Sequence, residues 1–278
     1  MEIKITILID NHSQQDLLAE HGFALWIKAG GEHILFDTGQ SEEALEHNAK
    51  ALGIDLAQTD KLVLSHGHYD HTGGLPAVLR QSPHVHVYCH PTALRARYSI
   101  REGQVKPVQM PYKSVVALKE LPSQRLHWLR RGSVLNSVVR VSGPIPRRTE
   151  YETAGGPFFL DPAGRHEDVI EDDIALWLRT ASGIIACLGC AHAGLINTLN
   201  YGLELNRDIN LNTVIGGFHL LEADQKRMNK SISALRRFDM KKIIPCHCTG
   251  DLAKTKLAEA LADRVDFGRA GTVLKFHV

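Results

Sequence analysis

KLVLSHGHYDHTGG, residues 61–74, sets an apolar run directly against His66, His68, Asp70 and His71 and closes on Gly73 and Gly74. A buried-type strand delivers the chain to a sheet edge, and the turn beyond it can project several side chains into one space. If the chain stays extended through the motif, residues 66 and 68 point the same way, while 70 and 71 follow on the turning segment. Two ligand pairs result, His66 with His68 and Asp70 with His71. Imidazole and carboxylate donors suit Zn, Mn or Fe rather than Ca. Two such ions roughly 3.5–4 Å apart can share a bridging water. The glycine pair lets the backbone turn sharply beneath them. A His-rich surface loop is the competing reading, and the preceding strand and the following glycines speak against it.

Outward from this motif the chain alternates short apolar runs with helical spacings. ITILID, FALWIKA and HILFDTG read as strands before it, and SEEALEHNAKALGI as a helix capped by Ser41. GGLPAVLRQ follows as a helix and HVHVYCH as a strand. In the second half, IALWLRT and GIIACLG form a strand pair joined at Ala181-Ser182-Gly183, followed by the helix GLINTLNYGLEL and the strand NTVIGG. An amphipathic helix over about Glu222–Phe238, the strand KKIIPC, a helix near Leu252–Leu261 and the closing strand TVLKFHV complete the chain. Strands come first and interleaved helices later in both halves, which two face-to-face sheets with helices outside explain better than one parallel sheet.

At 278 residues the expectation is one α/β domain over 1–278 with an insertion. The insertion is placed at about 98–162, where periodicity weakens and Pro and Gly recur. Between Arg95 and Arg148 stand twelve Lys or Arg against two Glu. Formal charge over the whole chain is only +1, so no global field argues for nucleic-acid or membrane binding. No apolar stretch approaches the roughly 20 residues that span a bilayer, and the N-terminus lacks a signal-peptide pattern. Five cysteines, an odd set without framework spacing, fit a reducing compartment. A soluble cytoplasmic protein is expected; a homo-oligomer stays open.

HxHxDH after an apolar strand resembles the metallo-β-lactamase superfamily, which implies a four-layer αβ/βα sandwich with two divalent metal ions at the strand ends. ILFDTG, residues 34–39, looks like that superfamily's early strand and turn, and implies that Asp37 supports the metal ligands from behind. IIPCHCTG, residues 243–250, looks like the late strand whose terminal histidine completes the second site, which implies His247. With LLAEHGFALWI, SGPIPRR, DDIALWL, GCAHAGLINTL and IGGFHL, the resemblance narrows over nearly the whole chain to one subgroup. That subgroup holds archaeal dihydropterin-ribofuranosylaminobenzene phosphate synthases and bacterial metal-dependent hydrolases.

The superfamily's third histidine for the first metal is missing before the IALWLRT strand, since His166 lies too far back, and Cys190 stands where a bridging aspartate is usual. His192 is inferred to take over as third imidazole of the first site. Cys190 is either a soft bridging ligand or a small buried residue, the latter being favoured. His219, at a strand end on the same rim, is read as hydrogen-bonding substrate and protonating a leaving group, its imidazole titrating near neutral pH. Asp172 and Asp173 read as turn caps. Cys246 and Cys248, flanking His247 on a strand, should both point away from it into packing. His84, His86 and His90 alternate along one strand face and are expected to be exposed.

Two metals held this way lower the pKa of a bound water, and Asp70 helps to orient it. No GxSxG elbow or P-loop offers another nucleophile. Arg147 and Arg148, after Pro144-Ile145-Pro146, present guanidinium forks suited to phosphate; a solvated basic loop or an oligomer contact explains the same charges. The leading expectation is a dinuclear hydrolase acting on a small phosphate-bearing molecule. A pterin-ribofuranosyl transferase-type synthase and a metal-bound sensor without turnover are the alternatives.

Overall fold

The computed structural model describes residues 2–207 and 209–278. β1 (Glu2–Ile9), β2 (Ala24–Ala29) and β3 (Glu32–Phe36) form an antiparallel meander. After α1 (Glu42–Ala51), β4 (Lys61–Val63) adds to β3 in parallel. Ser41 caps α1 as expected, its side chain accepting from the Ala44 N–H. Two short helices, α2 (Tyr69–Thr72) and α3 (Leu75–Gln81), lead to β5 (His86–Cys89), again parallel. A hairpin of β6 (Tyr98–Arg101) and β7 (Gln104–Pro107) precedes α4 (Tyr112–Lys119) and β8 (Leu126–Trp128), which pairs with β5 at the sheet edge.

The second sheet begins with β9 (Ser133–Val134) and β10 (Val139–Val141), while β11 (Phe158–Phe159) pairs back onto β6. The hairpin of β12 (Ala175–Thr180) and β13 (Gly183–Leu188) turns at Ala181–Gly183 as its sequence implies. Then α5 (Leu195–Leu205), β14 (Leu211–Gly217), α6 (Gln225–Leu235) and β15 (Lys242–Cys246) make two parallel crossovers. After α7 (Asp251–Leu261), β16 (Val273–His277) crosses back to pair with β1. The orders are β16-β1-β2-β3-β4-β5-β8 and β15-β14-β13-β12-β10-β9. The basic segment 98–162 is therefore not one appendage: β8 and β9 are edge strands of the two main sheets, β10 lies between β9 and β12, and only β6, β7 and β11 stand apart.

Alternate residues of each strand fill different layers. In β12, Leu176 and Leu178 enter the core between the sheets with Ile5, Ile27 and Ile185, whereas Ala175 and Trp177 pack outward under α5. Across the first sheet, Leu35, Leu62 and Val87 meet α1 and α3 through Leu45 and Val78. Four layers follow from strands that are apolar on both faces. No helix among the described residues is long and apolar enough to cross a membrane.

Trp177 is 1% exposed, and a Cβ built on Gly202 of α5 would stand 2.2 Å from its ring. Alanine there gains about 1 kcal/mol of helix propensity, but overpacking a closed core costs about 1–3 kcal/mol, with the upper end apt for so close an approach. Gly202→Ala is thus expected to lower the urea midpoint. A raised midpoint would show that the indole can step aside.

Candidate metal centre

The centre is assembled where strands end on one rim. Asp37 directly follows β3, His66 lies three residues beyond β4, Cys190 and His192 follow β13, His219 follows β14 and His247 follows β15. Asp37, Ala191, His219 and His247 all have left-handed backbones, with φ of 62°, 53°, 47° and 44°. Such conformations in residues bearing a Cβ cost about 1–3 kcal/mol each and persist only where the surroundings impose them. Here the buried strands beneath do so, and they re-aim each side chain out of the pleat direction.

The ligand atoms of His66, His68 and His192 lie within 4.8 Å of one another, all three residues being buried. Their Nε2 atoms have no hydrogen-bond partner among the described residues. Three converging, buried, unpartnered imidazole nitrogens are costly unless something accepts their lone pairs, and a divalent cation fits that need. Beside them Cys190 Sγ lies 3.1 Å from His71 Nε2, His71 Nε2 3.3 Å from His247 Nε2, and His247 Nε2 3.2 Å from Asp70 Oδ2. This second group holds a thiol, two imidazoles and a carboxylate, a donor set suited to Zn or Fe.

The imidazoles of His66, His71, His192 and His247 are oriented from behind. Asp37 Oδ1 accepts the Ser65 N–H at 2.7 Å, and its Oδ2 accepts Ser65 Oγ–H and His71 Nδ1–H, both at 2.7 Å. Ser65 Oγ in turn stands 2.8 Å from His66 Nδ1. His192 Nδ1–H donates to the Ala154 carbonyl at 2.7 Å, and His247 Nδ1–H to Asn11 Oδ1 at 2.8 Å. With Nδ1 carrying the proton, Nε2 is left to face the centre.

Burial drives the imidazoles of His68 and His219 down to about 3 and that of His247 to about 4, and holds His66 and His192 well below the ordinary range. His71 is the exception. Burial opposes its charge too, but Asp37 and Asp70 outweigh it and raise it to about 9. Asp70 is likewise held well below the ordinary carboxylate range: burial disfavours its charge, and His71, His21 and His247 overcome that. The neutral imidazoles are in the form that binds metal.

Several expectations are corrected. Cys248 does not point into packing: Cys190, His247 and Cys248 bring their ligand atoms within 4.8 Å of one another. Strand alternation stops at Cys246, which does enter the core, because residues 247–249 form a 3-10 turn. Cys190 is buried as expected, yet its sulfur faces His71 rather than an apolar wall. His219 lines the cleft, where burial pushes its imidazole down to about 3. Gly73 has φ near −70° and makes no special turn; it is needed because a Cβ would meet the Gln40 carbonyl oxygen at 1.8 Å.

Arg147 and Arg148 lie outside the cleft. Arg147 donates to the carbonyls of His192, at 2.6 Å, and Val169, pinning the loop that carries His192, and Arg148 pairs with Glu204 on the surface. Asp172 and Asp173 are no simple turn caps. Asp172 accepts the Gly67 N–H at 2.8 Å, between His66 and His68, and pairs with the buried Arg97. Asp173 accepts the Ala193 N–H at 2.7 Å. His90 is buried and His86 half-buried against His127, so neither is the exposed residue its alternation suggests.

A cleft of about 580 Å³ opens over the centre, with His21, Tyr69, Arg101, Lys106, Phe158 and His219 among its walls. Its cations come from the β6–β7 hairpin: Arg101 pairs with Glu222, and Lys106 Nζ reaches Tyr69 Oη at 3.2 Å. His21, 3.2 Å from Asp70 Oδ2, and Asn11 carried no spacing signal that would have singled them out.

The profile of the metallo-beta-lactamase superfamily matches residues 18–201. An uncharacterized protein of Methanocaldococcus jannaschii is 29% identical over 97% of this chain and 99% of its own length. The 7,8-dihydropterin-6-methyl-4-(beta-D-ribofuranosyl)-aminobenzene-5′-phosphate synthase of the same organism is 28% identical over 99% of this chain and 97% of its own. A crystal structure of a metal-dependent hydrolase of the beta-lactamase superfamily superposes with a TM-score of 0.81, at 29% identity and 98% coverage of both chains.

Proposed function

The chain belongs to the metallo-β-lactamase superfamily, and from that premise we propose that it is a metal-dependent hydrolase with a dinuclear centre acting on a small phosphate-bearing molecule. The observation that carries this reading is the set of three unpartnered Nε2 atoms beside the Asp70, His71, Cys190 and His247 group. His66, His68 and His192 would hold one divalent ion; Asp70, His71, His247 and the Cys190 sulfur would hold the other. What Zn, Mn or Fe ions supply at such a centre is Lewis acidity and a lowered pKa for water.

The chain's own groups then position the reaction. Asp70 accepts a hydrogen bond from the attacking water and sets its approach. Neutral His219 offers hydrogen bonding to the substrate, and Tyr69 and Phe158 wall the cleft against bulk water. In phosphodiester hydrolysis the water oxygen bonds to phosphorus, the ester P–O bond breaks, and the alkoxide leaves with a proton from the attacking water.

A second reading, a dihydropterin-ribofuranosylaminobenzene phosphate synthase-like transferase, is favoured by the near full-length relative of that name. Tyr69 and Phe158 offer faces for a flat ring in that case. Both readings share the centre and differ in the bond broken.

Turnover of a chromogenic phosphodiester by Zn- or Mn-loaded protein separates them. Hydrolysis is expected in the native chain and is expected to fall at least 100-fold in Asp70→Asn, which together with His247→Ala should also bind less metal. Full metal occupancy with no cleavage would transfer support to the synthase-like reading. Unchanged metal content in both variants would remove the ligand assignment.

A further inference from the structure

A second cavity, of about 570 Å³, adjoins the cleft and shares Glu222 with it. His219 lines the cleft and packs against Gly155 of the second cavity. Its ring centroid is 4.4 Å from that of His192, and a Cβ on Gly155, which lines the second cavity, would lie 2.2 Å from its Nδ1. That nitrogen has no partner among the described residues. Arg227, in the first turn of α6, lines the same cavity and is 8% exposed. Its Nη1 donates to Thr153 Oγ1 at 3.3 Å, but Nε and Nη2 are buried and have no partner among the described residues.

Of the acidic groups nearby, Asp224, Glu152 and Glu222 are otherwise engaged, while Glu150 and Glu167 also line the cavity. Asp224 Oδ1 accepts the backbone N–H of Arg227 itself at 2.6 Å, capping the helix. Glu152 accepts the Ile196 N–H at 2.8 Å, and through its other oxygen the Asn197 N–H at 2.9 Å and Thr149 Oγ–H at 2.8 Å. Glu222 pairs with Arg101. A buried guanidinium whose Nε and Nη2 lack partners is expensive even with the Glu152 and Asp224 charges near it, and folding stability alone gives no reason to keep it. Its two open N–H groups form the edge of a fork that matches an oxyanion in bidentate fashion. Lys226 and Lys230 add positive charge around the same cavity.

We propose that Arg227 anchors an oxyanion subsite beside the metal centre, which takes a phosphate or carboxylate group of the substrate while the scissile bond lies in the cleft. The placement of the scissile bond rests on the hydrolase reading. The subsite itself is a binding site and is tested without turnover.

Metal-loaded native chain, Arg227→Met and Arg227→Gln are melted with and without inorganic phosphate, and in a parallel arm with acetate. Asp70→Asn serves as the control for anion held at the metal centre. The expected result is a rise in Tm with at least one anion in the native chain and in Asp70→Asn, and a dissociation constant weakened at least tenfold in both Arg227 variants. Without anion, Arg227→Met is expected to melt no lower than the native chain, since it removes buried N–H groups that have no partner. An equal anion-dependent rise in the Arg227 variants, or no rise in the native chain with either anion, overturns the proposal. Phosphodiester turnover is scored separately, so its absence beside an Arg227-dependent anion response rejects hydrolysis and leaves the subsite standing.

Discussion

Asp37→Asn is expected to weaken binding of one divalent ion by about 10–100-fold, although the substituted residue touches no ligand nitrogen that faces the centre. Asp37 is fully buried and accepts from three donors, the Ser65 N–H, the Ser65 hydroxyl and His71 Nδ1–H. An asparagine of the same shape must keep its oxygen toward the Ser65 N–H, which cannot act as acceptor. Its NH2 then faces His71 Nδ1. To accept that hydrogen bond the imidazole must move its proton to Nε2, the atom that lies 3.1 Å from Cys190 Sγ and 3.3 Å from His247 Nε2. A protonated Nε2 cannot ligate. Metal titration with a chromophoric competitor reads the effect directly: two sites of unequal affinity are expected in the variant where the native chain shows both tight. Native-like affinity at both sites would mean that Asp37 does not set the His71 tautomer.

Arg97→Met is expected to have the largest effect on stability, about 3–5 kcal/mol, because it strands two buried carboxylates. The Arg97 side chain is 1% exposed; its Nη1 donates to Asp172 Oδ2 at 2.9 Å, and Nε lies 2.9 Å from Asp168 Oδ2, off the hydrogen-bonding direction. For a chain of this size the loss corresponds to a Tm lower by about 6–20 °C. Its pH dependence follows from Asp172. Burial disfavours the Asp172 charge, but Arg97 overcomes it and holds the carboxyl below 3.8. The native pair therefore adds stability above that range and loses it as pH falls through the depressed value. In the variant the stranded carboxyl takes up a proton at higher pH and relieves itself, so the gap between the two chains is widest near pH 7 and narrows towards pH 4. Guanidinium midpoints at those two pH values test this, with a triple variant adding Asp168→Asn and Asp172→Asn expected to recover most of the loss. A change under 1 kcal/mol at pH 7 would show that the carboxylates already find other partners. Metal content should fall alongside, since Asp172 also holds Gly67 between His66 and His68.

The strands were legible because apolar runs buried on both faces cannot be mistaken for loops. β12, β13, β14 and β15 fall where IALWLRT, GIIACLG, NTVIGG and KKIIPC place them, and their burial on both faces accounts for the lack of polar alternation. The segment 98–162 was not legible. Its strands at 126–128, 133–134 and 139–141 are two or three residues long, too short to imprint a period. Its charge excess was real, but only Arg101 and Lys106 reach the cleft, and no count along the chain distinguishes them from Arg147 and Arg148.

By itself, the sequence determined the layered α/β class, the strand that presents His66, His68, Asp70 and His71, and the family of chemistry those donors suit, because local period and donor type are properties of neighbouring residues. His192 and His247 are named from the sequence through its resemblance, but only the tertiary structure shows how they reach the same space. His192 meets His66 and His68 because β4 and β13 end on the same rim of facing sheets. Cys248 turns inward because the chain leaves the strand at His247 with a left-handed backbone, where alternation no longer applies. Arg227 is stripped of partners because Glu152 and Asp224 are satisfied by backbone N–H groups that only the fold brings to them. A spacing rule holds while the backbone repeats; at strand ends it stops repeating, and there the packed sheets set the direction of every side chain that matters.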